Sequence, residues 1–296
     1  FSVAGGDTAA ALAAGCCVVV KGHPAHPGTS ELVAGAITQA VSEAGLPGGG
    51  FSLLNGTENA LGEALVRDPN ITAVGFTGSH AGGLALMAHA ASRPVPIPVY
   101  AEMSSVNPVT LMPSRLAEAP EELAKAYVGS LSMGAGQFCT NPGIVLAIEG
   151  EALDTFVAAA AQALPDVGGQ TMLTTGISSA YAEGAKRLSE RTGAELVGLG
   201  EDAPGTCGRA QVYSVSADAF LTDPDFQEEV FGPASLIVRC ADLDQVAQVL
   251  AGMEGQLTTT LHMNDGDHDA AAKLMPILEK LAGRIIANGW PTGVDV

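Results

Sequence analysis

Among the five cysteines of the sequence, Cys139 stands in the segment best suited to nucleophilic chemistry. It follows Gly134 and Gly136 and precedes the small and polar residues 140–143. Such residues let a backbone come close to a substrate and aim N–H groups at a developing oxyanion. A thiolate is a strong nucleophile when nearby dipoles or cations favour the ionised form. The competing interpretation is a buried structural cysteine, which composition alone favours for Cys139 and which we adopt for Cys16, Cys17 and Cys240.

Glu102 is the candidate general base. It closes the apolar run of residues 99–101 and precedes Met103 and two serines. A carboxylate at the carboxyl end of a strand, in apolar surroundings, can accept a proton from water. An ordinary solvated glutamate would fit the same pattern equally well.

Two further segments are suited to a phosphate-bearing ligand. Residues 76–79 join a predicted strand to a predicted helix, where an open backbone can hold a pyrophosphate at the helix N-terminus. A plain tight turn is the alternative, since the glycines do not follow the GxGxxG spacing. Lys21 ends another apolar strand, where it can meet ribose hydroxyls or a phosphate. The nearby His23 and His26 have no carboxylate or cysteine at ligand spacing, so we expect no metal.

The elements that position these residues alternate between strand and helix. Residues 17–20, 51–54, 72–76 and 95–100 read as strands, with helices over residues 30–44, 58–67 and 80–91. This alternation predicts parallel strands in a doubly wound α/β sheet, in which ligands lie beyond the carboxyl ends of the strands. Lys21, residues 77–79 and Glu102 all fall at such ends.

A second α/β region begins after residue 108. We predict helices over residues 118–133, 152–163, 243–250 and 268–281, and strands over 144–148, 236–238, 258–262 and 284–288. Residues 202–233 read as loop-rich.

Composition limits the class of protein. Of the 296 residues, 47% are hydrophobic and 15% are charged, which is typical of a globular α/β chain. The net charge of −19 disfavours nucleic acid and anionic membranes as partners. The odd number of cysteines, without a CxxC pair, disfavours a disulfide scaffold or structural zinc and favours a reducing cytoplasm. The longest apolar stretch, residues 9–20, is too short to span a membrane.

Seven segments taken together resemble the aldehyde dehydrogenase superfamily, in the order in which that family carries them. They are residues 14–21, 44–49 with 54–56, 76–83, 102–108, 136–139, 229–233, and Asn288 with 291–293. One departure is that the family usually has Leu-Gly-Gly after the glutamate, whereas Met103-Ser104-Ser105 follows Glu102 here. The chain begins with Phe and stops shortly after the closing motif, so we expect an internal piece of a longer enzyme.

The resemblance implies a fold and a set of roles. It implies a Rossmann-like cofactor domain over residues 1–104, without its first strand, and an α/β catalytic domain over residues 105–296, both incomplete. The implied roles are nucleophile for Cys139, general base for Glu102, adenosine-ribose contact for Lys21, pyrophosphate turn for Thr77, Gly78, Ser79 and Gly83, and nicotinamide-ribose motif for Glu229 and Phe231. The family's oxyanion asparagine is expected before residue 1, so we expect this polypeptide by itself to be poorly soluble or inactive.

The resemblance also narrows the reaction. It implies NAD(P)-dependent oxidation of an aldehyde to a carboxylate by a homo-oligomeric enzyme, without a metal. NAD-preferring members carry an acidic residue where this chain has Pro24, so with Lys21 and His23 nearby we expect NADP to serve at least as well as NAD. Residues 21–30 with 101–108 look like the 2,5-dioxovalerate (α-ketoglutaric semialdehyde) dehydrogenase branch. The alternatives are an NADP-dependent fatty-aldehyde dehydrogenase and a non-catalytic nucleotide-binding relative.

Overall fold

The chain divides into two compact units, Phe1–Ser104 and Ser105–Val296, in a computed structural model that describes residues 3–294. The outermost residues of the two predicted domains, 1–2 and 295–296, lie outside the described residues. Within residues 3–294, no helix combines the length and the hydrophobicity needed to cross a membrane.

The first unit alternates helices with short parallel strands. Its helices are α1 (Gly6–Ala13), α2 (Pro27–Glu43), α3 (Asn59–Arg67) and α4 (His80–Ala91), and its strands are β1 (Val18–Lys21), β2 (Phe51–Leu54), β3 (Val74–Thr77) and β4 (Val99–Glu102). Strand β1 pairs in parallel with β2, and β3 pairs in parallel with β4. The predicted strand–helix alternation is therefore present, but within the described residues the two pairs are separate sheets and not one continuous sheet.

Prolines shift two element boundaries from their predicted places. Helix α2 begins at Pro27 and not at residue 30, because a proline in the first helical turn has a suitable φ and needs no N–H partner there. Strand β4 begins at Val99 and not at residue 95, since Pro94, Pro96 and Pro98 cannot donate to a strand ladder. At its other end, β4 finishes with Glu102.

The second unit is built on a seven-stranded sheet. Its strands, in chain order, are β5 (Val109–Leu111), β6 (Ile144–Ile148), β7 (Gln170–Thr171), β8 (Glu195–Leu199), β9 (Cys207–Gly208), β10 (Gln211–Ser216), β11 (Ala234–Cys240), β12 (Gln256–His262) and β13 (Ala282–Ala287). The main sheet has the order β13-β12-β5-β6-β11-β10-β8, and only β8 runs antiparallel to its neighbour. The predicted mixed α/β fold with a mostly parallel sheet is confirmed.

Helices cover both faces of this sheet. They are α5 (Pro113–Glu118), α6 (Pro120–Ser132), α7 (Glu151–Ala163), α8 (Thr175–Glu190), α9 (Ala217–Thr222), α10 (Leu243–Ala251) and α11 (His268–Leu281). Alternate residues of β6 enter different hydrophobic clusters: Ile144 and Leu146 enter one, and Val145 and Ala147 enter the other. Burial on both faces explains why β6 reads as a continuous apolar run.

Two features of this unit were missed in the sequence. The helix predicted over residues 118–133 is α6, which begins at Pro120, but the short helix α5 before it was not predicted. Residues 202–233 are not simply a loop, because they contain β10 and α9. The β10 sequence mixes serine with apolar residues, and its interior is nevertheless buried between β8 and β11.

Candidate active site

Lys21 is the last residue of β1, so it lies at the carboxyl end of its strand as predicted. The N–H of Gly22 donates to the Leu54 carbonyl at 2.8 Å, which extends the pairing of β1 with β2 by one hydrogen bond. His23 accepts a hydrogen bond from the Ala25 N–H at 3.2 Å and stacks on the ring of His26. Burial lowers the pKa of His23, and the charges of His26 and Lys21 lower it further. Pro24 is exposed beside them.

Thr77 and Glu102 are direct neighbours in the first unit. They are paired in the β3–β4 register as the last residues of the two strands, and the Gly78 N–H donates to the Glu102 carbonyl at 3.0 Å. Glu102 is half-buried. Ser79 is the N-cap of α4, and its Oγ accepts the Gly82 N–H at 3.2 Å. The predicted pyrophosphate turn and the predicted base, Glu102, thus lie at the same end of the β3–β4 pair.

At two positions around this turn, an added side chain would collide with a neighbouring side chain. A Cβ at Gly83 would lie 2.4 Å from the Met103 Sδ, so the residue after Glu102 packs directly on the first turns of α4. A Cβ at Gly78 would lie 2.7 Å from the Phe76 ring. Glycine at these places keeps the strand–helix turn compact and leaves its backbone open to a ligand.

Cys139 lies in the second unit, on a loop that enters β6 from its amino-terminal end. The loop begins with three consecutive residues of left-handed backbone, Gly134 (φ 57°), Ala135 (φ 58°) and Gly136 (φ 64°). This conformation is unfavourable for alanine. Gln170 compensates, since its Oε1 accepts the Ala135 N–H at 2.9 Å and its Nε2 donates to the Ser132 carbonyl at 2.9 Å.

The Cys139 loop packs against the segment that carries Glu229 and Phe231. A Cβ at Gly136 would lie 2.3 Å from the carbonyl carbon of Gly232, and the Asn141 Nδ2 donates to the Gly232 carbonyl at 3.1 Å. The contact follows from topology, because these segments precede β6 and β11, which are parallel neighbours. A pocket beside it is lined by residues that include Ser105, Phe138, Asn141, Glu229 and Phe231.

We expect Gly136→Ala to lower the free energy of unfolding by about 3 kcal/mol or more, because the added methyl group meets backbone that cannot rotate away. The matched control is Gly129→Ala in α6, where no atom lies within 4 Å of the new Cβ and alanine is the better helix former. Urea unfolding of both variants measures the difference. Equal stability of the two would contradict the close approach of Gly136 to Gly232.

The other cysteines have surroundings different from those of Cys139, which is half-buried. Cys240 is buried on β11, as predicted for a structural cysteine, and its pKa is raised to about 12 by burial and then by Asp242 and Glu149. Cys16 and Cys17 are exposed, so interpreting them as buried structural residues was wrong. Their apolar run leads into β1, but both precede the strand itself.

Several residues that hold the Cys139 loop carry no recognisable signal in the sequence. Gln170 and Asn141 reach partners 35 and 91 residues away, and Gln256 reaches the segment after Glu102 across 150 residues. A glutamine in such a position has no local motif, because only the sheet order brings it to its partner. Among residues 3–294, no group of His, Cys, Asp and Glu side chains is arranged to hold a metal ion.

Comparisons with known proteins agree with this arrangement. The pattern of the Aldehyde dehydrogenase family matches residues 1–294. The chain is 57% identical to alpha-ketoglutaric semialdehyde dehydrogenase 2 of Azospirillum brasilense, over 100% of this chain and 57% of that protein. It is 43% identical to alpha-ketoglutaric semialdehyde dehydrogenase of Acinetobacter baylyi, over 100% of this chain and 56% of that protein. The chain therefore spans a little over half the length of these relatives.

Solved structures give the same fold. The crystal structure of a putative aldehyde dehydrogenase from Burkholderia cenocepacia superposes with a TM-score of 0.76 at 24% identity, over 97% of this chain and 60% of that one. At this identity the likeness establishes the fold alone.

Proposed function

This chain belongs to the aldehyde dehydrogenase family, and from that premise we propose that the protein carrying it oxidises an aldehyde to a carboxylate with NAD(P)⁺. Cys139 is the nucleophile and Glu102 is the general base. The first unit is the cofactor-binding domain and the second is the catalytic domain. The observation that carries the proposal is the Cys139 loop, which is wound through three left-handed residues and packed on the segment of Glu229 and Phe231.

In the proposed reaction, the Cys139 thiolate adds to the aldehyde carbon and gives a thiohemiacetal. Bound NAD(P)⁺ supplies the acceptor for the hydride that leaves this carbon, so that a thioester on Cys139 remains. Glu102 then takes a proton from water, the resulting hydroxide attacks the thioester, and the carboxylate leaves as the thiolate is restored. The sum consumes one water and releases two protons, one taken up first by Glu102 and one as the carboxylate forms. The presence of Glu102 supports hydrolysis over transfer of the acyl group to coenzyme A.

Features of the first unit fit a dinucleotide. The turn at Thr77, Gly78 and Ser79 opens the 12-residue helix α4, whose first N–H groups favour a pyrophosphate. Gly78 and Gly83 keep the turn narrow, since an added Cβ there would have to displace the Phe76 ring or the Met103 side chain. Lys21 and His23 would meet the adenosine ribose, and Glu229 and Phe231 of the second unit would hold the nicotinamide end. Pro24 brings no negative charge to repel a 2′-phosphate, which supports NADP at least as well as NAD.

The relatives named alpha-ketoglutaric semialdehyde dehydrogenases support 2,5-dioxopentanoate as the aldehyde and 2-oxoglutarate as the product. We further propose that the enzyme is a homo-oligomer in the cytoplasm. A long-chain aldehyde is the alternative substrate. The alternative of another class, a non-catalytic nucleotide-binding protein, would have no use for a nucleophile and a base together.

We expect protein that carries this chain to reduce NADP⁺ and NAD⁺ with 2,5-dioxopentanoate, with kcat/KM at least about tenfold higher than with a long-chain aldehyde. The kcat/KM for NADP⁺ should equal or exceed that for NAD⁺. Absorbance at 340 nm measures all four combinations. A strong preference for NAD⁺ would contradict the role given to Pro24. Nucleotide binding without oxidation of either aldehyde would support the non-catalytic alternative.

A further inference from the structure

We propose that Asn107 is a positioning residue for Cys139 and that Gln256 holds Asn107 in place. The inference rests on the proposed role of Cys139 as the nucleophile. Neither amide is expected to touch the substrate. They act by fixing the backbone that carries the thiol, through a buried hydrogen-bond network at the amino-terminal edge of the sheet.

The donor side of the Asn107 side chain is directed at the Cys139 loop. Its Nδ2 donates to the Cys139 carbonyl at 2.9 Å and to the Asn141 carbonyl at 2.9 Å. Asn107 is 1% exposed, and Asn141 is buried as well. One amide group therefore holds both ends of the short turn that follows the thiol.

The acceptor side of the same amide is fixed by β12 and the preceding residues. The Asn107 Oδ1 accepts the Ser105 hydroxyl at 2.8 Å, the Thr258 hydroxyl at 3.1 Å and the Thr258 N–H at 3.3 Å. With three donors on the oxygen, the amide is oriented so that its nitrogen must face the Cys139 loop.

The backbone of Asn107 is held in an uncommon conformation, with φ at 46°. Asparagine tolerates this left-handed region better than most residues. Gln256 stabilises it from the neighbouring strand: its Oε1 accepts the Val106 N–H at 2.7 Å and the Asn107 N–H at 3.1 Å, and it lies 2.9 Å from the Ser105 Oγ, whose single proton it shares with the Asn107 Oδ1. The Gln256 Nε2 donates to the Glu254 carbonyl at 3.1 Å, which fixes the orientation of this second amide.

Sheet order explains why these groups meet. Asn107 precedes β5, Cys139 precedes β6 and Gln256 begins β12, and these three strands are neighbours in the order β12-β5-β6. Their amino-terminal ends therefore share one edge. Removing the Asn107 amide would leave the Cys139 and Asn141 carbonyls without this donor, and the loop would move to find another.

The test compares four variants at these two positions. Asn107→Gly keeps a left-handed backbone without steric cost but removes the amide. Asn107→Asp keeps the shape and the acceptor oxygen but sets a second oxygen against two carbonyls. Gln256→Leu removes the acceptor for Ser105, Val106 and Asn107, whereas Gln256→Glu retains that acceptor and loses only the exposed bond from Nε2 to the Glu254 carbonyl.

The matched control is Thr259→Val. Thr259 is fully buried on β12 and its hydroxyl donates to the Pro108 carbonyl at 3.2 Å, so this variant also loses a buried hydrogen bond to the backbone beside Asn107. It does not touch the Cys139 loop. Thermal unfolding establishes that each variant is folded at the assay temperature.

We expect Asn107→Gly and Asn107→Asp to slow the pre-steady-state burst of NAD(P)H about 10- to 100-fold, since a displacement of a nucleophile by about 1 Å has effects of this size. The KM for aldehyde should stay within about threefold, because substrate contacts are unchanged. Gln256→Leu should slow the burst in the same way, whereas Gln256→Glu should keep the burst near the rate of the unaltered protein. Thr259→Val should change the melting temperature but not the burst.

Alkylation of Cys139 by iodoacetamide, followed by mass spectrometry of its peptide, measures the loop without any aldehyde. The rate should change at least about fivefold in Asn107→Gly and stay near the starting value in Thr259→Val. Wild-type burst and alkylation rates in Asn107→Gly would overturn the inference. If the unaltered protein gives no burst with any aldehyde, the proposed function fails, while the alkylation rates still decide whether Asn107 positions Cys139.

Discussion

Replacing Cys139 with alanine is expected to abolish the burst of NAD(P)H and to lower steady-state oxidation by a factor of about 10⁴ or more. The reason is that, in the proposed mechanism, the thiolate forms the bond that turns the aldehyde into a hydride donor. Cys240 is buried with its pKa raised to about 12, so it offers little thiolate. Stopped-flow absorbance at 340 nm measures the loss.

The control for this variant is Cys207→Ser in the same unit. Cys207 is half-buried like Cys139, but it lies on the short strand β9, where its thiol contacts the Thr171 hydroxyl at 3.7 Å. We expect it to keep the burst within about twofold, because serine leaves the backbone pairing with Thr171 unchanged and its hydroxyl can replace the thiol contact. A burst that survives in Cys139→Ala and disappears in Cys207→Ser would show that Cys207, and not Cys139, is the nucleophile.

The second large effect is expected from Glu102→Gln, and it should separate the two halves of the reaction. The amide cannot accept a proton from water, so hydrolysis of the thioester should slow by a factor of about 10²–10⁴. The burst should remain, with an amplitude of about one NAD(P)H per Cys139, because formation of the thioester does not need this base. Stopped-flow and steady-state assays on one preparation measure both values.

The contacts of Glu102 make this substitution mild for the fold. Its backbone pairs with Thr77, and its carbonyl accepts the Gly78 N–H, neither of which depends on the side chain. The control is Glu58→Gln, which removes an exposed carboxylate elsewhere in the same unit and should leave both rates unchanged. Unaltered turnover in Glu102→Gln would remove the glutamate from the mechanism. Loss of both the burst and steady-state turnover would mean that Glu102 acts in a step that precedes or forms the thioester.

Local sequence predicted those parts of the structure that local physics controls. Strand β6 was recognisable because burial on both faces demands a run of apolar residues, and its predicted bounds match, as do those of β2. Helix α11 was predicted with its observed bounds from its apolar periodicity. Errors occurred where prolines moved a boundary, as in β4, or where a buried strand carries polar residues, as in β10.

The sequence by itself determined the family and the candidate residues Cys139, Glu102 and Lys21, because motif order along the chain does not depend on coordinates. Only the tertiary structure decided what holds the Cys139 loop. Gly136 requires glycine because the Gly232 backbone lies against it, and the Asn107 amide faces the Cys139 carbonyl because β12, β5 and β6 are neighbours. Asn107 lies 32 residues from Cys139 and 151 residues from Thr258, which orients its amide, so no local pattern could have paired them.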